Sequence, residues 1–215
     1  MQIIAHRGFW RQKNEQNSQE ALLGAIEHGW GIETDINHLN GTLVISHDVP
    51  DGTAKCLSFE KLILATMGNK KSDGVVLALN IKADGLERKI IDAFSKIGRK
   101  PKNFFFFDMN APTHAAFSRV FEKECISTRI SDIEPEPVLY EKSGWVWVDG
   151  FEKDWNDSER IGKFLKDGKR VVFVSPELQK RDKAKFWNFA KQFAKNPNVC
   201  ICTDFPEEAD RFFNG

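Results

Sequence analysis

Two histidines of this chain directly follow apolar runs: His6 after Ile3-Ile4-Ala5, and His47 after Leu43-Val44-Ile45-Ser46. An imidazole titrates near neutrality, so two of them can divide a proton-transfer reaction, one taking a proton and the other giving one. His6 leads into Arg7 and Gly8. The glycine permits a tight turn, and the guanidinium offers a fork of donors that matches a phosphate. Glu33 and Asp35 are two residues apart, which on a strand puts both carboxylates on one side. Ile32 and Ile36 take the opposite side. Paired carboxylates repel unless a cation lies between them, and Mg²⁺ or Ca²⁺ takes oxygen ligands of this type. With Arg7 and Lys82 as cations, the set makes a site for a phosphoester. His28, His38 and His114 fall at a helix end, beside a turn and at a helix start, and read as structural.

Positioning such a set requires a scaffold, and the chain repeats one supersecondary unit. Short apolar runs predict strands over Gln2–Ala5, Gly31–Ile36, Val75–Ile81, Phe104–Asp108, Cys125–Arg129, Trp145–Asp149, Arg170–Val174 and Val199–Thr203. Most are continuous rather than alternating, as parallel strands buried on both faces are. Helices are predicted over Ser18–His28, Ser58–Met67, Leu86–Ile97, Thr113–Glu122, Glu136–Lys142, Ser158–Lys166, Lys183–Lys195 and Glu207–Phe213. An extra run, Thr42–Ser46, follows Asn40-Gly41, a type I′ turn signal, and should pair with the second strand as a hairpin. Strand then helix, repeated eight times, predicts an α/β TIM (β/α)8 barrel built from the whole chain, 1–215, as one domain. An open doubly wound sheet is the alternative.

In a barrel the chemistry sits at the C-terminal ends of the strands. His6-Arg7, His47-Asp48, Lys82, Asp108, Arg129, Asp149, Ser175-Pro176-Glu177 and Asp204 all end predicted strands, and Asn80 lies just inside one. Asp108, Asp149 and Glu177 either meet a polar substrate, as Trp155 also would, or close ion pairs over the barrel mouth. Asp204 precedes Phe205-Pro206 and either caps the last helix or joins the site.

Composition narrows the class. The chain has 215 residues, with 31 Lys plus Arg against 31 Asp plus Glu. That zero balance argues against general nucleic-acid binding, which needs a positive excess. No apolar run approaches the roughly 18 residues of a membrane span, and no basic amphipathic helix offers stable membrane anchoring. None of the four cysteines has a CxxC or CxxH spacing, so they read as buried free thiols in a reducing cytoplasm. The 18 phenylalanines against one tyrosine suggest no function by themselves.

The series Ile4-Ala5-His6-Arg7-Gly8, Asn17-Ser18, Gly31-Ile32-Glu33-Thr34-Asp35 and Ser46-His47-Asp48 resembles the glycerophosphodiester phosphodiesterase family. That family is related to phosphatidylinositol-specific phospholipase C. Cys202-Thr203-Asp204-Phe205-Pro206 is similar to its closing strand. The resemblance is strong in the first fifty or so residues and weak through the middle. It implies a TIM barrel that hydrolyses a glycerol-linked phosphodiester to an alcohol and glycerol phosphate. It implies His6 and His47 as the acid–base pair, and Arg7 and Lys82 as phosphate contacts; Asp108 and Glu177 are substrate-binding candidates from their strand ends alone. It also implies a divalent cation, Mg²⁺ or Ca²⁺, held by Glu33, Asp35 and the residue at position 80.

Three departures stand out. Asn80 replaces the family's third acidic ligand, which removes one negative charge from the site. Gln16-Asn17-Ser18 replaces the usual Glu-Asn-Thr, with Glu15 one place early. Only about 25 residues separate His47 from Gly74, so the family's small cap insertion is reduced. Two further functions therefore stand beside the first. One is a phosphodiesterase or lyase on a nucleotide-linked glycerol or a glycerol phosphate polymer. The other is a non-catalytic binding module.

Overall fold

A computed structural model describes residues 1–154 and 157–215; the Trp155 contact expected from the sequence lies outside them. β1 (Gln2–His6) is followed by α1 (Gln19–Glu27), whose first turn is closed by Ser18 Oγ accepting from the Ala21 N–H at 3.1 Å. β2 (Gly31–Leu39) turns at Asn40-Gly41 into β3 (Thr42–Ile45). Both turn residues have positive φ, 49° and 83°, as the type I′ hairpin requires. β4 (Leu57–Ser58) adds a short antiparallel rung to β3 that the sequence did not announce. Then come α2 (Phe59–Gly68), β5 (Leu77–Ile81), α3 (Glu87–Ile97), β6 (Phe104–Phe107) and α4 (Ala111–Phe117). The chain ends with β7 (Ser127–Ile130), β8 (Trp145–Val148), α5 (Ser158–Lys166), β9 (Arg170–Val174), α6 (Ala184–Ala190), β10 (Val199–Thr203) and α7 (Pro206–Asn214).

β1, β2 and β5 to β10 run parallel, in the order of a barrel. β1 lies between β2 and β10, so the two ends of the chain meet in one ladder. Between β6 and β7 a single parallel bridge, Phe106 to Ile126, replaces a full ladder. The barrel is therefore seamed at that point.

The predicted fifth helix, Glu136–Lys142, is a correction. Only a 3₁₀ turn forms, over Tyr140–Lys142. Pro135 and Pro137 remove two backbone donors and push the residues before them out of helical space. The fourth helix stops at Phe117 rather than Glu122, where Ser118 turns its hydroxyl onto the His114 carbonyl at 2.9 Å. The seventh breaks into 3₁₀ over Lys191–Phe193.

Alternation along the strands separates two cores. Ile3, Ala5, Ile32 and Ile36 face the helices. Ile4, Ala78, Phe105, Phe107, Trp145 and Trp147 fill the barrel interior. Phe105 stacks on Trp145 with ring centroids 4.3 Å apart, and Phe107 stacks on Trp147 at 4.0 Å. The phenylalanine excess is a packing feature. Most of the rings are buried in these two cores, where a tyrosine hydroxyl would need a hydrogen-bond partner and a phenylalanine contributes about 1.5–3 kcal/mol without one. The one indole at the floor, Trp145, donates to the Glu124 carbonyl at 2.9 Å.

His114 is structural, as the sequence suggested. It is buried and shares a 3.0 Å hydrogen bond with the Ser143 hydroxyl. Burial holds its pKa below the ordinary value. The unfolded chain therefore binds a proton first as pH falls, and stability is lost as pH drops through the ordinary histidine range, about 6.5. Urea unfolding at pH 7 and pH 5 should show a smaller acid loss in His114→Gln than in the wild type. Equal losses would show that His114 is not held neutral.

Candidate functional site

The interior side of the strands carries the chemistry at its upper end. His6, Glu33, Asp35, Asn80, Lys82 and Asp149 continue the positions that lower down hold Ile4, Gly31, Ala78 and Trp147. His6 is the Cα neighbour of Glu33 across β1 and β2, and Asp35 that of Asn80 across β2 and β5. The strand ends enclose a cavity of about 320 Å³ lined by His6, Arg7, Glu33, His47, Asn80, Lys82, Asp108, Arg129 and Asp149, with Phe107, Trp147 and Phe151 among its apolar walls. A larger hollow of about 590 Å³ lies on the outside, along α5 beside Tyr140 and Phe164, away from these residues.

The turn after β1 shapes one wall. Arg7 adopts φ 56° and Gly8 φ 94°. A Cβ at Gly8 would lie 2.5 Å from the Ala21 backbone carbon, so only glycine lets the chain pass this close to α1. Asn17 and Asp108 also have positive φ, 61° and 65°. Left-handed backbone at non-glycine residues is unfavourable unless its surroundings enforce it, and these three all lie at the barrel mouth.

Asp35 is the most heavily engaged group. It is 1% exposed. Arg7 Nε lies 3.1 Å from Oδ2, Asn17 Nδ2 donates to Oδ2 at 2.8 Å, and Lys82 Nζ lies 3.3 Å from Oδ1. Thr34 Oγ1 donates to Asn17 Oδ1 at 2.7 Å, which fixes the amide's orientation. Gln16, at the position where the resembled family has glutamate, accepts from Arg7 at 3.3 Å.

Glu33 is 2% exposed, and one of its oxygens, Oε2, has no hydrogen-bond partner among the described residues. Burial and then the neighbouring Asp35 charge push its pKa up to about 7. His6 Nδ1 donates to Asp204 Oδ1 at 2.7 Å, and its Nε2 lies 3.8 Å from Glu33 Oε2. Burial by itself would lower the His6 pKa. The Asp204 hydrogen bond and the charges of Glu33 and Asp204 outweigh it, so the value is raised.

Asp204 thus serves His6 and does not cap α7, whose N-terminus has no side-chain cap. Glu177 stands behind it. Its carboxylate accepts from the Ser175 and Thr203 hydroxyls and, at 3.1 Å, from the Asp204 N–H. Glu177 is therefore not among the cavity's lining residues; it holds the turn that aims Asp204. Asp108 pairs with Arg129 and lies 3.6 Å from Lys82 Nζ. Burial raises the Asp149 pKa, against a 2.8 Å bond from the Gly150 N–H and a 3.3 Å bond from Gln179 Nε2. His47 stands at the rim, half-exposed, with Nδ1 2.7 Å from Asp48 Oδ1.

Asn17, Trp147 and Gln179 were not singled out as site residues from the sequence. Trp147 had a signal, since it precedes Asp149 by two and so shares its face. Asn17 had one in the resembled Asn-Ser motif, and Gln179 ends a 3₁₀ turn, where no strand or helix periodicity exists to read.

No family model matches the chain, and no curated protein matches it. Solved structures do. The chain resembles a glycerophosphodiester phosphodiesterase from Agrobacterium tumefaciens at TM-score 0.70 and 15% identity, covering 100% of both chains. A candidate glycerophosphodiester phosphodiesterase from Galdieria sulphuraria matches at TM-score 0.76 and 16% identity, over 100% of this chain and 98% of that one. One from Parabacteroides distasonis matches at 0.66 and 18%, over 99% and 96%. The chain has the fold of the glycerophosphodiester phosphodiesterases.

The His6–Asp204 contact has a direct readout. In metal-free protein, Asp204→Asn should lower the His6 pKa in an imidazole NMR titration, because burial then acts against fewer favourable charges. An unchanged titration would mean that Asp204 does not hold the ring.

Proposed function

We propose that this protein is a metal-dependent phosphodiesterase that converts a glycerol-linked phosphodiester into an alcohol and glycerol phosphate. The observation that carries this reading is the meeting of His6 and His47 with Arg7 and Lys82 around one cavity, from separate segments of the chain. The shared fold supports it.

The residues divide the work by position. Arg7 and Lys82 face the cavity while their charge is balanced by Asp35, so they bring positive potential without leaving an unpaired buried cation. The phosphodiester's negative charge suits that wall. One imidazole takes the proton from the attacking oxygen, a vicinal hydroxyl of the substrate or water. That oxygen bonds to phosphorus as the bond to the leaving alcohol breaks, and the second imidazole protonates the departing alkoxide. If a vicinal hydroxyl attacks, a cyclic phosphate forms, and water opens it to glycerol phosphate. Asp204 fixes the His6 ring, so that proton transfer needs no search for orientation.

The residues present fit a divalent cation. Glu33 Oε2 and Asn80 Oδ1 are buried oxygens with no hydrogen bond among the described residues, and Asp35 Oδ1 faces the Lys82 ammonium at 3.3 Å without a hydrogen bond. Glu33 and Asn80 line the cavity, and Asn80 is 7% exposed. A hard cation takes such oxygens, and it would stabilise the ionised form of Glu33, reversing the upward push on its pKa. Glu33, Asp35 and Asn80 would hold it, and it would supply Lewis-acid polarisation of a phosphoryl oxygen. Among the described residues no group of three or more His, Cys, Asp and Glu forms a metal cluster, and position 80 supplies an amide oxygen rather than a carboxylate.

Metal titration by calorimetry, paired with assays on glycerophosphocholine, cytidine diphosphate glycerol and a bis-aryl phosphate, tests the reading. Metal-dependent release of alcohol and glycerol phosphate is expected; turnover on none of them overturns it and favours a binding module. His6→Ala and His47→Ala should each cut kcat by about 10²–10⁴-fold while leaving the fold intact. Near-wild-type turnover in either would remove that residue from the acid–base pair. Asn80→Glu should tighten metal binding, because it restores a charged oxygen beside Asp35. Unchanged affinity would place the metal elsewhere.

A further inference from the structure

A second hollow, of about 490 Å³, opens off the cavity and shares Arg7 and His47 with it. Its walls are the loop before α1 and the segment from the end of β3 to β4. Lys13 and Lys55 both line it, and among the described residues neither forms an ion pair. Its one acid, Asp48, is engaged by His47 Nδ1 at 2.7 Å. The opposite side of the cavity is built of paired charges. A hollow of about 400 Å³ there shares Asp108 and Arg129 with the cavity, and it adds Glu134 and Glu136. Among the described residues the mouth thus carries unpaired cations beyond Arg7 and none beyond Asp108, where Glu134 pairs with Arg129 at 2.6 Å and Glu136 with Arg160 at 3.1 Å.

Resting on the phosphodiesterase reading, we propose that the Lys13–Lys55 hollow is a subsite for a second phosphate of the substrate, a monoester or a further diester, linked to the one being cleaved. Two unpaired ammonium groups give a divalent anion a partner that a choline or a sugar would not use, and the shared Arg7 and His47 keep both phosphates on one continuous surface. Among the described residues the far side offers a second phosphate no unpaired cation, since its Arg129 is held by Asp108 and Glu134, so the charge pattern also sets which way the substrate lies.

Calorimetry with the full chain tests this without relying on turnover. Glycerol 1,3-bisphosphate should bind at least tenfold tighter than glycerol 3-phosphate. The double substitution Lys13→Ala, Lys55→Ala should abolish that preference and leave glycerol 3-phosphate binding unchanged. Cys56 reports location, because it lines the hollow while the other three cysteines are buried. Bisphosphate should slow its alkylation, and glycerol 3-phosphate should not. Equal binding of the two ligands, a preference that survives the double substitution, or undiminished Cys56 alkylation would each overturn the subsite. Hydrolysis of glycerophosphoglycerol and of its terminally phosphorylated analogue separates the two readings. A KM raised only for the phosphorylated substrate in the double variant supports both. Turnover of both with no difference between variant and wild type sinks the subsite alone. No turnover of either, with the bisphosphate preference intact, sinks the phosphodiesterase reading and leaves a bisphosphate-binding site.

Discussion

The site is organised around two carboxylates that the barrel buries side by side. Glu33 and Asp35 leave β2 on the same face, into an interior that otherwise holds aromatic and aliphatic side chains. Neither charge is tolerable there alone, since burying an ionised carboxylate costs several kcal/mol. Asp35 meets that requirement with protein groups, Arg7, Lys82 and Asn17. Glu33 does not, and its pKa rises accordingly. The turn after β1 and the strained backbone of Arg7 and Asn17 follow from the need to bring those partners over Asp35. The unmet demand of Glu33 is what gives the site its capacity for a cation.

A second chain of contacts runs from the other side of the barrel. Ser175 and Thr203 hold Glu177, Glu177 holds the Asp204 backbone, and Asp204 holds His6. These links cross from β9 through β10 to β1, so the ladder joining the two chain ends also orients a proton-transfer group. Such supporting bonds matter because a ring free to rotate loses much of the advantage of proximity. The single bridge between β6 and β7 has a different consequence. Above it, the Asp108–Arg129 ion pair spans the gap where hydrogen bonds are missing, and a hollow lined by Glu134 and Glu136 opens beside it.

Asn80 separates this chain from the motif it resembles without emptying the site. Its amide oxygen sits in register with Asp35 and has no hydrogen bond, so a ligand position remains while its charge is gone. The replacement is local: the strand pairing on both sides of Asn80 is continuous, and its neighbour Phe107 stacks as part of the inner core.

The barrel was legible in the sequence because continuous apolar runs and their spacing are local properties. So was the hairpin, since Asn-Gly demands positive φ whatever surrounds it. The facing of Glu33 with Asp35 follows from a two-residue period. Where the sequence misled, a competing local rule intervened: Pro135 and Pro137 cancelled the fifth helix, and a serine hydroxyl ended the fourth early. What the sequence left open was every contact between distant segments. Asp204 could cap a helix or reach His6, and Glu177 could meet substrate or hold a turn; the β1–β10 ladder, which brings residues nearly two hundred apart together, decided the first, and the β9–β10 ladder decided the second. The polarity of the mouth also belongs to the tertiary structure alone. A net charge of zero says nothing about where lysines and carboxylates gather, because that distribution is set by which loops the barrel places side by side.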